Sequence, residues 1–504
     1  MAELPLIHRA RVHADRICIR AGGTTFAYDE LLSASARVAS ALLGDRRDLE
    51  ERRVGFLVPP GFEHVAVQWG IWRAGGVAVP LAPSHPKREL RHTMRDAGAS
   101  VVVVHPGYAD AGQVLADGAD GRLLPTPDAL ATEPGALPEV DETRRAMIVY
   151  TSGTTGNPKG VVTTHASLEA QVTSLITAWE WTADDRVLLA LPLHHIHGIV
   201  NVLTCALWSG ARCDILARFD AQVVWDRITS GALTLFMAVP TIYRKLIAAW
   251  DAASTDRQPA MSAACRGLRL MVSGSAALPV SVFERWRDIT GHALLERYGM
   301  TEIGMGLSAP LHGERVPGSV GTPLPGVEAR LVDGDGVAVT PGRPGEIEIR
   351  GPGVFLEYWG RPEETAGAFH DGWFRTGDIG VLDHGRYRIV GRQSVDIINT
   401  GGFNVSALEI EEVLRMHPAI DECAVVGVPD SDLGERVCAA VELRPGHRLT
   451  LEGLRVWAKQ HLAVYKIPRE LCPTVLPRNA MGKIMKRSIS PMFGPGDDDG
   501  DVDS

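Results

Sequence analysis

The sequence predicts an α/β fold in two domains, a large layered N-terminal domain ending in a β-rich lobe and a small α+β domain after it. Three observations carry this. The chain has 504 residues, more than one ordinary hydrophobic core serves. Up to about residue 390, short β-rich apolar runs alternate with amphipathic segments, the pattern of layered α/β architecture. Beyond Arg392 a compact run has enough elements for a separate domain of about a hundred residues.

Strands are expected at 101–104, 146–150, 186–191, 233–239 and 268–272. Most are continuous apolar runs, which suits strands buried on both faces. Several end in Gly, Ser, Thr or His, where an α/β sheet places its ligand. From Gly326 the texture changes to short strands and turns at 346–350, 372–378 and 387–391, the β-rich lobe. Then come a Gly401-Gly402 loop, a helix from Ala407, strands at 423–428 and 437–443, an amphipathic helix near 451–462 and a last strand before Pro477. The expected domains are 1–391 and 392–490, followed by a disordered acidic tail, 491–504.

Apolar residues make up 45% and charged residues 22% of the chain, as in ordinary globular proteins. Five of the ten net negative charges come from Asp497, Asp498, Asp499, Asp501 and Asp503. No basic stripe of the kind nucleic-acid binding needs stands out, and an acidic surface disfavours anionic lipid. The seven cysteines are scattered without a C-x-x-C pair and read as reduced packing residues. With no signal peptide and no bilayer-length apolar run, the expected location is the cytoplasm. A monomer or weak homo-oligomer is expected, with no nucleic-acid or membrane partner.

The strongest chemical signal is Tyr150-Thr151-Ser152-Gly153-Thr154-Thr155-Gly156-Asn157-Pro158-Lys159-Gly160, directly after a hydrophobic strand. Glycines let backbone N–H groups close on phosphate oxygens, hydroxyls add donors and the lysine supplies charge. Pro158 stands where a Walker A loop requires Gly. The plain alternative is a polar surface turn.

Five further motifs follow in order: 191–198 (LPLHHIHG), 273–277 (SGSAA), 296–302 (ERYGMTE), Thr376-Gly377-Asp378 with Gly391-Arg392, and 479–483 (NAMGK). With this set the chain resembles the acyl-CoA synthetases of the adenylate-forming superfamily over nearly its whole length. The resemblance implies that family's fold, with a C-terminal domain that swings about a hinge near Gln393 and Ser394. It also implies ATP, Mg²⁺ and coenzyme A as reactants or cofactors.

In that reading Thr151, Ser152, Gly153, Thr154, Thr155, Gly156 and Lys159 cradle phosphates, and Thr154 with Glu302 holds Mg²⁺. Tyr298, on a loop, stacks on adenine, while Gly274, Ser275 and Ala276 let a flat base lie against backbone. Glu296, Arg297, Gly299, Met300 and Thr301 complete that nucleotide-binding stretch. Asp378 suits a vicinal diol, since a carboxylate offers two oxygens, and Arg392 contacts ribose or phosphate. Lys483 fits the adenylation lysine, bridging carboxylate and α-phosphate. His195 gates the coenzyme A tunnel, and Thr400 to Val405 line the pantetheine path. Taken singly, these residues read as a core tyrosine, a turn-forming aspartate and solvated surface cations. Glu409 belongs to a capping box, Ser406-Ala407-Leu408-Glu409.

Arg297 stands where most such enzymes have Gly, and a guanidinium there shortens the acyl tunnel and demands a partner. A second carboxylate on the substrate meets that demand, bound bidentately. Arg244 and Lys245 add cationic groups, and Ser275 adds a donor. The ensemble resembles the malonyl-CoA synthetases, a group with a mitochondrial member in animals, and implies malonate, with methylmalonate in doubt because Lys245 replaces an arginine. The competing readings are a structural ion pair of Arg297 with Glu296 or Glu302, hence a short monocarboxylate substrate, and an inactive nucleotide-binding regulator.

Overall fold

The structure, a computed structural model, describes residues 3–117, 121–151, 158–479 and 482–494. They form two compact units, Met1–Ala329 with Ile349–Phe374, and Arg330–Glu348 with Arg375–Ser504. The expected break at residue 391 is therefore not where packing divides the chain. The segments 330–348 and 375–391 pack with the C-terminal residues, because hairpin pairing ties Asp378 to Arg392 and Asp383 to Arg386.

In the first unit, one sheet of nine strands is built on a parallel centre. Leu295–Met300, Leu270–Ser273, Leu235–Ala238, Arg186–Leu189, Arg212–Ile215 and Ile17–Ala21 lie side by side in that order. The runs Leu235–Ala238 and Leu270–Ser273 are buried at every position, which explains why their sequences show no alternation. The strand expected over 186–191 ends at Leu189. A second sheet of seven strands carries Arg145–Thr151 paired antiparallel with Lys159–Thr164, and Lys159–Thr164 paired with Glu357–Tyr358. Trp69, Trp72, Trp179, Trp225 and Trp286 are fully enclosed in this unit, each a large apolar contribution to its core.

In the second unit, Ile420–Asp430 and Gly434–Leu443 form a long antiparallel pair, and the other edge of Gly434–Leu443 takes Ile397–Thr400 at Gly434 and Glu470–Pro473 at Cys438 to Val441. The pleat sends alternate residues to opposite faces. Cys423 and Val425 join Ile410, Leu414 and Leu454 in one apolar cluster, while Ala424, Val426 and Val428 join Leu476, Ile489 and Phe493 in another. The ordered body thus extends past the expected limit of 490, because Phe493 is a core residue; 495–504 lie outside the described residues.

Candidate active site

The phosphate-loop candidates Ser152, Gly153, Thr154, Thr155, Gly156 and Asn157 lie outside the described residues, and with them the threonine half of the expected metal pair. The strands that flank them are clear. Thr151 lies opposite Lys159 across the hairpin. Lys159 forms an ion pair with Glu364 and sits over the Tyr358 ring, 5.1 Å from its centroid. The Tyr358 hydroxyl donates to Glu302 at 3.0 Å. Glu302 is 6% exposed, an acid held inside the protein by a hydroxyl. An anionic oxygen donor of this kind suits Mg²⁺. Lys159 shares its charge with Glu364, so a phosphate role would require it to exchange partners.

Arg297 lies in the strand Leu295–Met300, and so does Tyr298, in a strand and not on the expected loop. Gly299 is dictated there: a Cβ would stand 2.1 Å from the Gly304 carbonyl across the hairpin. Parallel pairing of Ser273 with Glu296 sets the Gly274 backbone beside the next residue along. A Cβ on Gly274 would lie 2.4 Å from Arg297 Nε. The group that a side chain at this position would meet is thus the Arg297 guanidinium. Ser275 has φ +69°, a left-handed conformation costly for serine and common where a site imposes geometry. It accepts a hydrogen bond from Arg297 Nη2 at 3.0 Å, and its hydroxyl lies 3.1 Å from His197 Nδ1. Ala276 beside it is exposed, and Met300 and Thr301 are partly buried.

Arg297 is 3% exposed. Its bond to Ser275 is its one side-chain hydrogen bond among the described residues, and Nε has no partner. Glu302 engages Tyr358, and Glu296 accepts from the Leu278 N–H at 3.3 Å. Of the competing reading, a structural ion pair, the described residues show the charge of Glu296 acting on Arg297. Burial pulls the Arg297 pKa down to about 9, partly offset by the Glu296 charge, so the guanidinium remains a cation at neutral pH. Burial, and then Arg297 itself, hold His197 well below the usual imidazole range. The result is a buried cation with a neutral histidine at its back, an arrangement that favours an anion.

His197 opens a π-helical segment, His197–Thr204, a geometry often found at functional sites. Just before it, the His194 and His195 rings are 4.3 Å apart, and His85 lies 5.7 Å from His194. Burial, reinforced by His85, lowers His195 to about 4. Arg244 and Lys245 sit on the helix Pro240–Asp251, whose buried residues include Ile242, Tyr243 and Leu246. Lys245 is exposed and lies over Phe219 at 5.7 Å. No described contact joins either cation to Arg297.

In the second unit, the structure brings Asp378 and Arg392 together, 3.1 Å apart on paired strands. The expected Thr-Gly-Asp turn is part of the strand Trp373–Asp383, although Gly377 keeps φ +72°. Lys483 is exposed, and its N–H donates to Asn479 Oδ1 at 3.0 Å. Ser406 caps the helix Ala407–Arg415, accepting from the Glu409 N–H at 3.2 Å. The Glu409 carboxylate does not close the capping box but pairs with Lys466 at 2.5 Å.

One residue escaped sequence reasoning. Lys486, three residues beyond Lys483, has a side chain only 11% exposed and contacts Asp396 at 2.5 Å and Glu411 at 2.6 Å. Burial alone would lower its pKa, but the two carboxylates reverse this and raise it. No local pattern distinguishes it from its neighbours Lys483 and Arg487.

A parallel-centred sheet, a Gly-Ser-Thr-rich sequence directly after a buried strand and a separate lysine-bearing C-terminal unit fit an ATP-dependent acid-activating enzyme. The AMP-binding enzyme family matches residues 6–359 and its C-terminal domain matches 409–483; the chain belongs to that family. It is 47% identical to the mitochondrial malonate–CoA ligase ACSF3 of Mus musculus, over 98% of this chain and 91% of that protein. It is 40% identical to a malonate–CoA ligase of Arabidopsis thaliana, over 94% and 86%. Among solved structures, ATP-bound MatB from Rhodopseudomonas palustris matches with a TM-score of 0.90 at 34% identity, covering 97% of this chain and 98% of that one. The cytoplasmic location expected from the sequence does not stand, since the mouse and human relatives are both named mitochondrial. Among the described residues no helix is long and apolar enough to cross a membrane.

Proposed function

We propose that the chain is a malonate–CoA ligase, converting malonate, ATP and coenzyme A to malonyl-CoA, AMP and diphosphate. The observation that carries the substrate is Arg297, a buried cation with one neutral hydrogen-bond partner. A dicarboxylate supplies a directly hydrogen-bonded counter-charge through its distal group, while its proximal carboxylate attacks the α-phosphate. Ser275 orients the guanidinium, and neutral His197 fixes the Ser275 hydroxyl without adding a competing charge.

Asp378 is assigned to the ribose hydroxyls, with Arg392 holding its carboxylate in place. Tyr298 is assigned to adenine. Lys483 bridges the reacting carboxylate and α-phosphate, stabilising charge as diphosphate leaves. Glu302 and Thr154 would hold Mg²⁺, which neutralises phosphate charge when bound. The thioester step follows a swing of the C-terminal domain about a hinge near Gln393 and Ser394, which would carry the Thr400 to Val405 hairpin toward the pantetheine path past His195. The names of the relatives from Mus musculus and Arabidopsis thaliana support the substrate. Diphosphate release measured with malonate, methylmalonate, acetate and butyrate tests it. Malonate is expected to lead in kcat/KM by at least tenfold over the monocarboxylates. Butyrate equal to malonate would overturn the assignment.

A further inference from the structure

Lys486 is a buried cation that no step assigned so far uses. It opens the short 3₁₀ turn Lys486–Ser488, three residues after Lys483. Lysines are seldom buried unless paired, and this one is paired twice, with Asp396 at 2.5 Å and with Glu411 at 2.6 Å. Both acids are themselves fixed. Asp396 accepts from the Arg392 N–H at 3.0 Å through its other oxygen, and its carbonyl accepts from the Ala407 N–H at 2.7 Å. Glu411 accepts from the Val425 N–H at 2.8 Å and pairs with Arg415 at 3.3 Å. The Arg392 guanidinium goes on to Asp378 at 3.1 Å. One line of contacts therefore joins Lys486, Asp396, Arg392 and Asp378, all inside one unit. The ends of the stretch that carries Lys483 are closed by backbone pairing, the Met485 N–H donating to the Pro477 carbonyl at 2.8 Å and the Asn479 N–H to the Lys483 carbonyl at 2.9 Å. The Lys483 side chain is exposed, so its direction depends on how this stretch is anchored. Leu476 and Ile489, on either side, are buried in an apolar cluster, but apolar contact is non-directional. Buried charges are often no more stabilising than apolar residues of the same volume, so stability alone does not account for a lysine here.

We propose that Lys486 is a positioning residue for adenylation: through Asp396 it ties the stretch bearing Lys483 to the Arg392–Asp378 pair, so that the Lys483 ammonium is aimed at the α-phosphate of a nucleotide whose ribose Asp378 holds. This rests on the roles assigned above to Lys483 and Asp378 and adds what aims the lysine. Lys486 itself touches no reactant, since its ammonium is occupied by two carboxylates. A misaimed Lys483 loses its contact with the transition state while the nucleotide keeps its own contacts, so kcat is the constant that changes.

The test compares Lys486→Met and Lys486→Arg with wild type, each shown to be folded by circular dichroism in the assay buffer, using whichever acid the wild type turns over. In Lys486→Met, kcat for ATP–diphosphate exchange is expected to fall roughly tenfold or more, with KM for ATP within about twofold and conversion of supplied acyl-AMP to thioester within about threefold of wild type. Lys486→Arg should recover most of the exchange. In a Lys483→Ala background, Lys486→Met should cause no further loss, because it acts through the lysine already removed. A merely structural residue would lower both half-reactions together and add its loss to that of Lys483→Ala. Either outcome overturns the proposal, as does an unchanged kcat in folded Lys486→Met. If Lys486→Met does not fold, Asp396→Asn, which keeps the shape and an acceptor for the Arg392 N–H but removes the charge, is read by the same criteria. Full exchange activity in Lys483→Ala alone would instead overturn the role assigned to Lys483, a separate result.

Discussion

Arg297 keeps its charge in surroundings that oppose it, and a ligand carboxylate is what balances the account. Removing the charge therefore separates two readings of the residue. Arg297→Gly should abolish malonate turnover, since a buried carboxylate left unpaired costs roughly 3 to 5 kcal/mol, while acetate and butyrate turnover persists or rises. A merely structural arginine would leave the malonate-to-butyrate ratio of kcat/KM unchanged. Sequence alone pointed to Arg297 because of its identity within a motif, but not to the Ser275–His197 chain behind it. That chain depends on a serine held at φ +69°, which no local pattern announces.

Elements were legible where burial imposes a period or an unbroken apolar run. Val101–Val104 and Arg145–Thr151 appear within a residue of their expected bounds, and Ala407–Arg415 begins at the residue its serine cap indicates. Boundaries failed where pairing partners decide them. Tyr298 extends a strand because Leu307 pairs with it, and the lobe segment 375–391 belongs with the C-terminal unit through its hairpin. The buried Lys486 was illegible because both its partners, Asp396 and Glu411, are distant in sequence. These contacts tie the segment bearing Lys483 to the stretch after Arg392 and to the helix Ala407–Arg415. Lys486→Met should leave Asp396 buried without its cation and Glu411 with Arg415 alone, at a cost of about 3 kcal/mol or more. Urea unfolding of the variant should show this loss, and Lys486→Arg should recover part of it. No change in the unfolding midpoint would mean that the triad is solvated.

At the scale of the whole molecule, charge burial predicts how the protein responds to acid. His64, His165, His194 and His195 are all lowered to between about 2 and 4, chiefly by burial, so each is neutral in the folded state near pH 5. Unfolded, they take up protons below about 6.5. Between the folded and unfolded pKa values the unfolded state binds more protons, so stability falls as pH drops. The slope is about 1.4 kcal/mol per pH unit for each histidine. All four lie in the first unit, which should be the first to unfold in urea as pH is lowered from 7 to 5; a flat midpoint across that range would mean that they are charged in the native state. Lys483 belongs to the other unit, and its assigned role is confined to one half of the reaction. Adenylation needs its charge on the carboxylate and α-phosphate, whereas thioester formation begins once that bond exists. Lys483→Ala should therefore lower ATP–diphosphate exchange by a hundredfold or more, a loss on the order of 3 kcal/mol. Conversion of supplied malonyl-AMP to malonyl-CoA should stay within a few-fold of wild type. Because the Lys483 side chain is exposed, the substitution should leave the unfolding midpoint unchanged. Equal loss in both half-reactions would remove the case for two working orientations of the C-terminal domain.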